Sequence, residues 1–432
     1  MRAVVFAIVL LIAGPRAHAM EIQHVVSKGG IEAWLVEEHA VPLIALESAF
    51  RGGSRADAQG KEGTSAMLAA LLDEGAGDLD AQTFQQRLEA KAIDLSFDTD
   101  MDSFSASLST LSENRDEAFS LLALALTRPR LDAEPVARMR GQMVSARVRL
   151  VEDPESLAGE LWFAKALPGT VYGRPPRGTE HALNALSVDD LRAYAKANLT
   201  RDRLKIAVVG DIDAKTLRTL LDKTFGALPK KGATVKIADM VPQGAGETEI
   251  ERHDFPQSVV VFGGPGLKRA DPDFYAASVL NNIVGGGGFS ARLTEEVREK
   301  RGLAYGVYTY LYPLDFAGLT MGGVATQNEK VGQSIDIIKS ELARVVADGV
   351  TQQELDDTKT YMTGSYALRF DTNAKIARML VGIQLADLGI DYVKKRNGLI
   401  EAVTLDDVKR VASRLFVPEK MLFVVVGDPA GL

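Results

Sequence analysis

SVDDLRAYAKANLTRDRLKIAVVGD, residues 187–211, recurs as TLDDVKRVASRLFVPEKMLFVVVGD, residues 404–428, without a gap and at a constant offset of 217 positions. Each copy reads as a capped helix followed by a buried strand. Ser187 and Thr404 carry hydroxyls suited to the N-cap, and the aspartate pairs that follow (Asp189–Asp190 and Asp406–Asp407) complement the positive end of a helix. The apolar runs before each Gly-Asp have the composition of strands that end in a glycine turn. A unit repeated at this distance spans about half of the chain, so the sequence encodes an internal duplication.

The rest of the two halves matches more loosely. A helical pattern at 80–92 precedes an alternating strand at 94–108, as a helical pattern at 289–300 precedes strands at 303–312 and 318–325. Both halves then return to helices. This mixture predicts an α+β protein of two homologous domains, each a mainly antiparallel sheet with helices packed on one face. The length, 432 residues, exceeds what one hydrophobic core serves. The aperiodic stretch around Pro229, Lys230, Lys231 and the glycines Gly244 and Gly246 marks the seam. The expected boundaries are 20–225 for the first domain, 226–246 for a linker and 247–432 for the second domain.

Residues 1–19 read as a secretory signal peptide. Arg2 precedes an apolar run over 3–14, and Ala17-His18-Ala19 has the small-x-small form of a cleavage site. The run is shorter than the roughly 20 residues of a spanning helix. Cleavage is expected after Ala19, which implies a periplasmic or secreted protein with no membrane insertion. The chain has no cysteine, so neither a disulfide framework nor a lipid anchor on cysteine is available. A net charge of −8 without basic clusters gives no footprint for nucleic acid.

One segment of the second half is long and specific: GGGGFSARLTEEVREKRGLAYGVYTY, residues 285–310. It resembles the glycine turn and the R-E-K-R-G-L-A-Y signature of the pitrilysin/insulinase family of zinc peptidases (the inverzincins). Within that family the chain resembles the non-catalytic, Arg/Tyr-bearing subunit of a bacterial two-chain, processing-peptidase-like member. The resemblance implies that Arg298 and Tyr305 bind substrate, holding its backbone and donating hydrogen bonds to a carbonyl oxygen that gains charge. It implies the same, more loosely, for Gly285, Gly286, Gly287 and Gly288. Local pattern alone leaves plainer readings open: Arg298 as a surface member of a charged helix, Tyr305 as a core aromatic, and the glycines as a flexible turn.

Active members of the family read G-x-x-H-x-x-E-H where this chain reads GTSAMLAALL, residues 63–72. On that frame Ala66, Ala69 and Ala70 stand at the degenerate zinc-motif positions, and an alanine methyl offers neither a lone pair to zinc nor a base to water. The matching third-ligand segment, 142–151, contains no acid, and its best-aligned residue is Arg147, a cation expected to repel a metal. His24, His39, His181 and His253 have no helical ligand spacing between them. No cofactor is expected in this chain. Asp73 and Glu74 read as a solvated helix end, and the loop at 174–179 as structural.

The resemblance therefore implies a non-catalytic, substrate-binding subunit of a heterodimeric zinc metallopeptidase. A homologous partner with an intact H-x-x-E-H motif would hold the zinc, and a peptide would be the substrate. The alternative is a proteolytically inactive structural or assembly protein of the same fold. A self-sufficient hydrolase with another nucleophile finds no G-x-S-x-G elbow and no cysteine to support it.

Overall fold

The computed structural model describes residues 20–233 and 235–432, so the signal-peptide reading of residues 1–19 lies outside the described residues. The duplicated segment forms the elements its sequence dictates. Ser187 caps the helix Val188–Asn198 through a reciprocal box with Asp190, and Thr404 caps the helix Leu405–Leu415 through the same box with Asp407. Each arrangement satisfies backbone donors at the helix start that have no partner within the helix.

Among the described residues, eleven strands form two sheets. The first contains β1 (Gln23–Val26), β2 (Glu32–Glu37), β3 (Leu43–Arg51), β4 (Asp94–Thr99), β5 (Ser103–Leu111) and β6 (Leu204–Gly210), in the order β1-β2-β6-β3-β5-β4. The second contains β7 (Thr248–Arg252), β8 (Gln257–Pro265), β9 (Ala304–Pro313), β10 (Gly318–Gln327) and β11 (Leu422–Gly427), in the order β7-β11-β8-β10-β9. The two strands of the repeat, β6 and β11, take equivalent places. Each lies between a parallel neighbour (β2 or β7) and an antiparallel one (β3 or β8). β4 and β9 are the corresponding edge strands.

The structure adds a feature to the expected layering, because the second face of each sheet is also covered, in each case by a helix from the other half. The helix Pro154–Ala166 lays Ala158, Trp162 and Ala166 on Val259 and Val261 of β8 and on Leu422, Val424 and Val426 of β11. The helix Asn373–Leu385 lays Ala377, Leu380 and Val381 on Ala207 and Val209 of β6. Alternate residues of each central strand serve opposite cores: Phe423 and Val425 face the helices of their own half, and Leu422 and Val424 face the exchanged helix. Burial on both faces is why these strands are unbroken apolar runs. Trp162 is fully buried, its indole N–H donates to the Leu422 carbonyl at 3.2 Å, and Gly263 leaves the slot it fills.

Two expectations are corrected in detail. The strand read at 94–108 is the hairpin β4–β5, because the Asp100 carboxylate accepts from the N–H groups of Asp102 and Ser103 and closes a turn there. Asp73 and Glu74 are partly buried rather than solvated, with Glu74 paired to Arg138 at 2.6 Å. Within the stretch read as a linker, Met240 N–H donates to Phe316 O and Gln243 N–H to Ala166 O. In the loop at 174–179, Arg174 bonds to the Arg55 carbonyl and lies 3.5 Å from Glu62.

The halves are also joined by polar contacts. Arg55 of the first half pairs with Asp102 at 2.8 Å and with Asp315 of the second half at 3.0 Å. The Tyr172 hydroxyl donates to Asp102 at 2.6 Å, and Asp102 accepts from the Asp315 N–H.

Candidate functional site

The signature at 285–310 folds into one compact arm. Two short turns of wide, π-type helix occur here, Asn282–Gly286, which includes Gly285 and Gly286, and Thr294–Glu299, a winding found often at functional sites. Gly285 is buried against β9: a Cβ there would lie 2.5 Å from Thr309 Oγ1 and 2.6 Å from its backbone nitrogen. A Cβ at Gly286 or Gly287 would meet Asn281 or Asn282 at 2.6 Å. Gly285 and Gly287, which would meet backbone atoms, therefore have a packing reason, and Gly288, at φ +62 with open space around it, supplies the turn that presents Phe289.

Arg298 and Tyr305 are brought together. The Arg298 guanidinium carbon lies 4.7 Å from the centre of the Tyr305 ring and 4.6 Å from that of Phe289, so it stacks against both rings. Cation–π contact of this kind fixes a guanidinium without neutralising it. The competing acid Glu296 is taken by Lys300 at 2.8 Å and Arg301 at 2.6 Å, which leaves Arg298 only a 3.3 Å contact with the exposed Glu299. Tyr305 is 87% exposed, which excludes a core role.

Backbone geometry aims the tyrosine. Between the pairs Val324↔Val307 and Thr326↔Ala304 the register of β9 on β10 slips, so Tyr305 and Gly306 together oppose the single residue Ala325. Such a bulge resets the alternation of side chains and bends the strand. Because β9 is the sheet edge, Tyr305 opens a strand whose outer backbone groups have no neighbour within the sheet. Further along, Tyr308 and Tyr310 are exposed and stacked at 6.1 Å, and Tyr308 donates to Glu155 of the exchanged helix at 3.1 Å. Burial, with Glu155 beside it, pushes the Tyr308 hydroxyl up to about 12, so it remains a donor at neutral pH.

Three of these residues were not singled out in the sequence: Phe289, Tyr308 and Tyr310. The period-two tyrosines of the strand carried the signal for the last two.

The alanine segment forms only the short helix Thr64–Ala69. Gly63, at φ +91, starts it, and Asp57 caps it by accepting from the N–H groups of Gly63 at 2.8 Å and Ser65 at 2.9 Å. Burial pushes the Asp57 carboxyl up to about 7 against the pull of those donors. Ala69 is buried and Ala66 and Ala70 are half-buried. The helix packs on Val188–Asn198 and Ala133–Leu150.

Zinc does not fit these residues, since no ligand atom projects from Ala66, Ala69 or Ala70. The Arg147 guanidinium pairs with Glu160 of the helix Pro154–Ala166. Among the described residues, His24 beside Glu32, His39 beside Glu37 and Asp211, and His181 are exposed, and His253 is half-buried and stacked on Phe255. Among the described residues no group of three or more His, Cys, Asp or Glu side chains is placed to hold a metal ion, and no helix is long and apolar enough to cross a membrane.

Residues 185–362 match the family described as the peptidase M16 inactive domain. Over 371 residues the chain is 28% identical to the non-peptidase homolog YmxG of Helicobacter pylori, covering 85% of each protein. It is 25% identical over 417 residues to an uncharacterized zinc protease, YmxG, of Bacillus subtilis, covering 95% of this chain and 99% of the relative. The crystal structure of a peptidase M16 inactive domain from Pseudomonas fluorescens superposes with a TM-score of 0.89 at 28% identity, covering 95% of this chain and 98% of that one.

Proposed function

We infer, from the premise that this chain is an inactive M16-type peptidase homologue, that it serves as the non-catalytic, substrate-binding subunit of a two-chain zinc metallopeptidase outside the cytoplasm. A homologous partner carries the H-x-x-E-H motif and the zinc. This chain contributes the arm of Arg298 and Tyr305, and the carrying observation is the Arg298 guanidinium stacked against Phe289 and Tyr305 with no strong carboxylate partner. A peptide lying as an added strand along the edge of β9 would satisfy that strand's outer backbone groups with little demand on sequence. The guanidinium and the phenol then donate hydrogen bonds to a substrate carbonyl oxygen, and such bonds strengthen as the oxygen gains negative charge.

The test is reconstitution. The chain is co-expressed with a homologue bearing the intact motif, and turnover of an unstructured peptide is measured with and without each subunit. Neither subunit alone is expected to cleave, and the mixture is. Arg298→Ala is expected to lower turnover of the mixed complex by about 100-fold, the usual effect of removing one such donor, with assembly intact. Unchanged turnover in both Arg298→Ala and Tyr305→Phe refutes the role of the arm.

The second reading, an inactive assembly protein of the same fold, is supported by the likeness to the non-peptidase homolog of Helicobacter pylori. It predicts no peptide affinity in the isolated chain and none that depends on Arg298.

A further inference from the structure

A second feature is independent of the arm. Where the helix Asn373–Leu385 leaves its own half to cross to the other sheet, a cavity of about 640 Å³ opens, lined by Arg269, Arg369, Lys375, Arg378 and Arg396 with Phe274, Tyr366 and Tyr392. No acidic residue lines it. Elsewhere in this chain arginines meet acids closely: Arg292 forks onto Glu354, and Arg410 and Arg414 share Asp273. Here, among the described residues, none of the four arginines has a carboxylate within 4.0 Å, and only Lys375 is paired, with Asp371 at 2.7 Å.

Aromatic rings hold the guanidiniums in place of acids. Arg269 lies 4.3 Å from the ring centre of Phe274 and donates to the Tyr392 hydroxyl at 3.0 Å. Arg396 lies 4.3 Å from the ring centre of Tyr366 and donates to the Met362 carbonyl at 2.7 Å and to Asn397 Oδ1 at 3.0 Å. Its exposure is 8%, so this cation is withdrawn from water without a counter-charge. Burying an unpaired charge is costly, and a bound anion is what offsets it. Glu47, on which the charge of Arg378 acts, is itself buried and already accepts from Ser107.

We propose that this cavity binds a small, free polyanion of the phosphate class, with phosphoryl oxygens received by Arg396 and Arg269 from within and by Arg369, Arg378 and Lys375 at the rim. Guanidinium forks match phosphoryl oxygens two at a time, and a concave site with one sign of charge focuses its field. A free ligand is favoured over an anionic membrane surface because the chain carries a net charge of −8, which repels such a surface at long range while the cavity remains locally positive.

The test is calorimetric titration of the purified chain with sodium pyrophosphate at low ionic strength, beside co-sedimentation with phosphatidylglycerol vesicles. Saturable binding of one pyrophosphate per chain, weakening as salt is added, is expected. Arg396→Gln is expected to weaken it by about tenfold or more, the worth of one charge-assisted hydrogen bond. Should that buried substitution prevent folding, the double variant Arg369→Gln with Arg378→Gln, both at exposed positions, decides the question in the same direction. Lys215→Gln, on the helix Ala214–Phe225, leaves binding unchanged. No heat at millimolar pyrophosphate, equal binding by the arginine variants, or binding to vesicles without binding to free pyrophosphate each overturns the proposal.

Discussion

Replacing Trp162 by alanine is predicted to destabilise both halves of the molecule together. The indole belongs to the first half in sequence but is fully buried on the second sheet, against Val261 and Leu422. Truncating a buried tryptophan costs about 3–5 kcal/mol, more where the walls cannot close over the space. Here the slot is shaped by Gly263, whose Cβ position lies 2.9 Å from the ring, and its walls are sheet backbone held by ladder bonds. The Leu422 carbonyl also loses its indole donor, a further contribution of about 1 kcal/mol. A total near 5 kcal/mol is comparable to the whole stability of many domains. The chain has two tryptophans, and the other, Trp34, lies in β2 against the cluster under the reciprocally exchanged helix. Equilibrium urea unfolding of Trp162→Ala, followed by Trp34 fluorescence, should therefore show a midpoint well below that of the parent. If the Trp34 transition stays within about 1 kcal/mol of the parent's, the halves unfold independently and the argument for mutual stabilisation is wrong.

Other perturbations have equally definite outcomes. The Asp57 carboxyl, with a folded value of about 7 against an ordinary 3.8, keeps a proton in the folded state across that interval. Its contribution to stability is thus complete below about pH 4 and declines as pH rises through 7, by at most about 4 kcal/mol. Thermal melts of the parent and Asp57→Asn between those limits should differ by a pH-dependent amount, and a constant difference would refute the shift. Gly285→Ala forces a methyl against the Thr309 backbone and should cost about 1–3 kcal/mol in chemical denaturation, while releasing the arm from β9. Phe289→Ala removes one of the two rings beside Arg298, a loss of about 0.5–1 kcal/mol at an exposed site. It should lower turnover of the reconstituted complex less than Arg298→Ala does, and an equal loss would show that Phe289 itself contacts substrate.

The sequence revealed the repeat because its chemistry is local. A hydroxyl three residues before an aspartate caps a helix whatever surrounds it, and Ser187 and Thr404 do so in both copies. Arg298 and Tyr305 were legible for another reason, a long signature whose spacing fits one arm. Helix exchange was not legible. The residues Ala158, Trp162 and Ala166 announce an apolar stripe, but a stripe does not name the sheet it covers, and its partners lie in the other half. The β4–β5 hairpin was hidden because alternation continues through Asp100 and Asp102, where side-chain bonds to backbone N–H groups, rather than a glycine, make the turn. Phe289 was missed because its partner is brought near only by the fold of the glycine loop.

The exchange of helices also sets the order in which the chain becomes a protein. Trp162 meets Leu422 across 260 residues. At about 5–20 residues per second, translation separates the two by roughly 13–50 seconds. Through that interval the first half carries an uncovered apolar helix, and its wall is complete only once Val426 of β11 has been made. The nascent chain is therefore a client for chaperones along one identified stripe, and a truncation that removes β11 deprives the first half as well as the second of its native state.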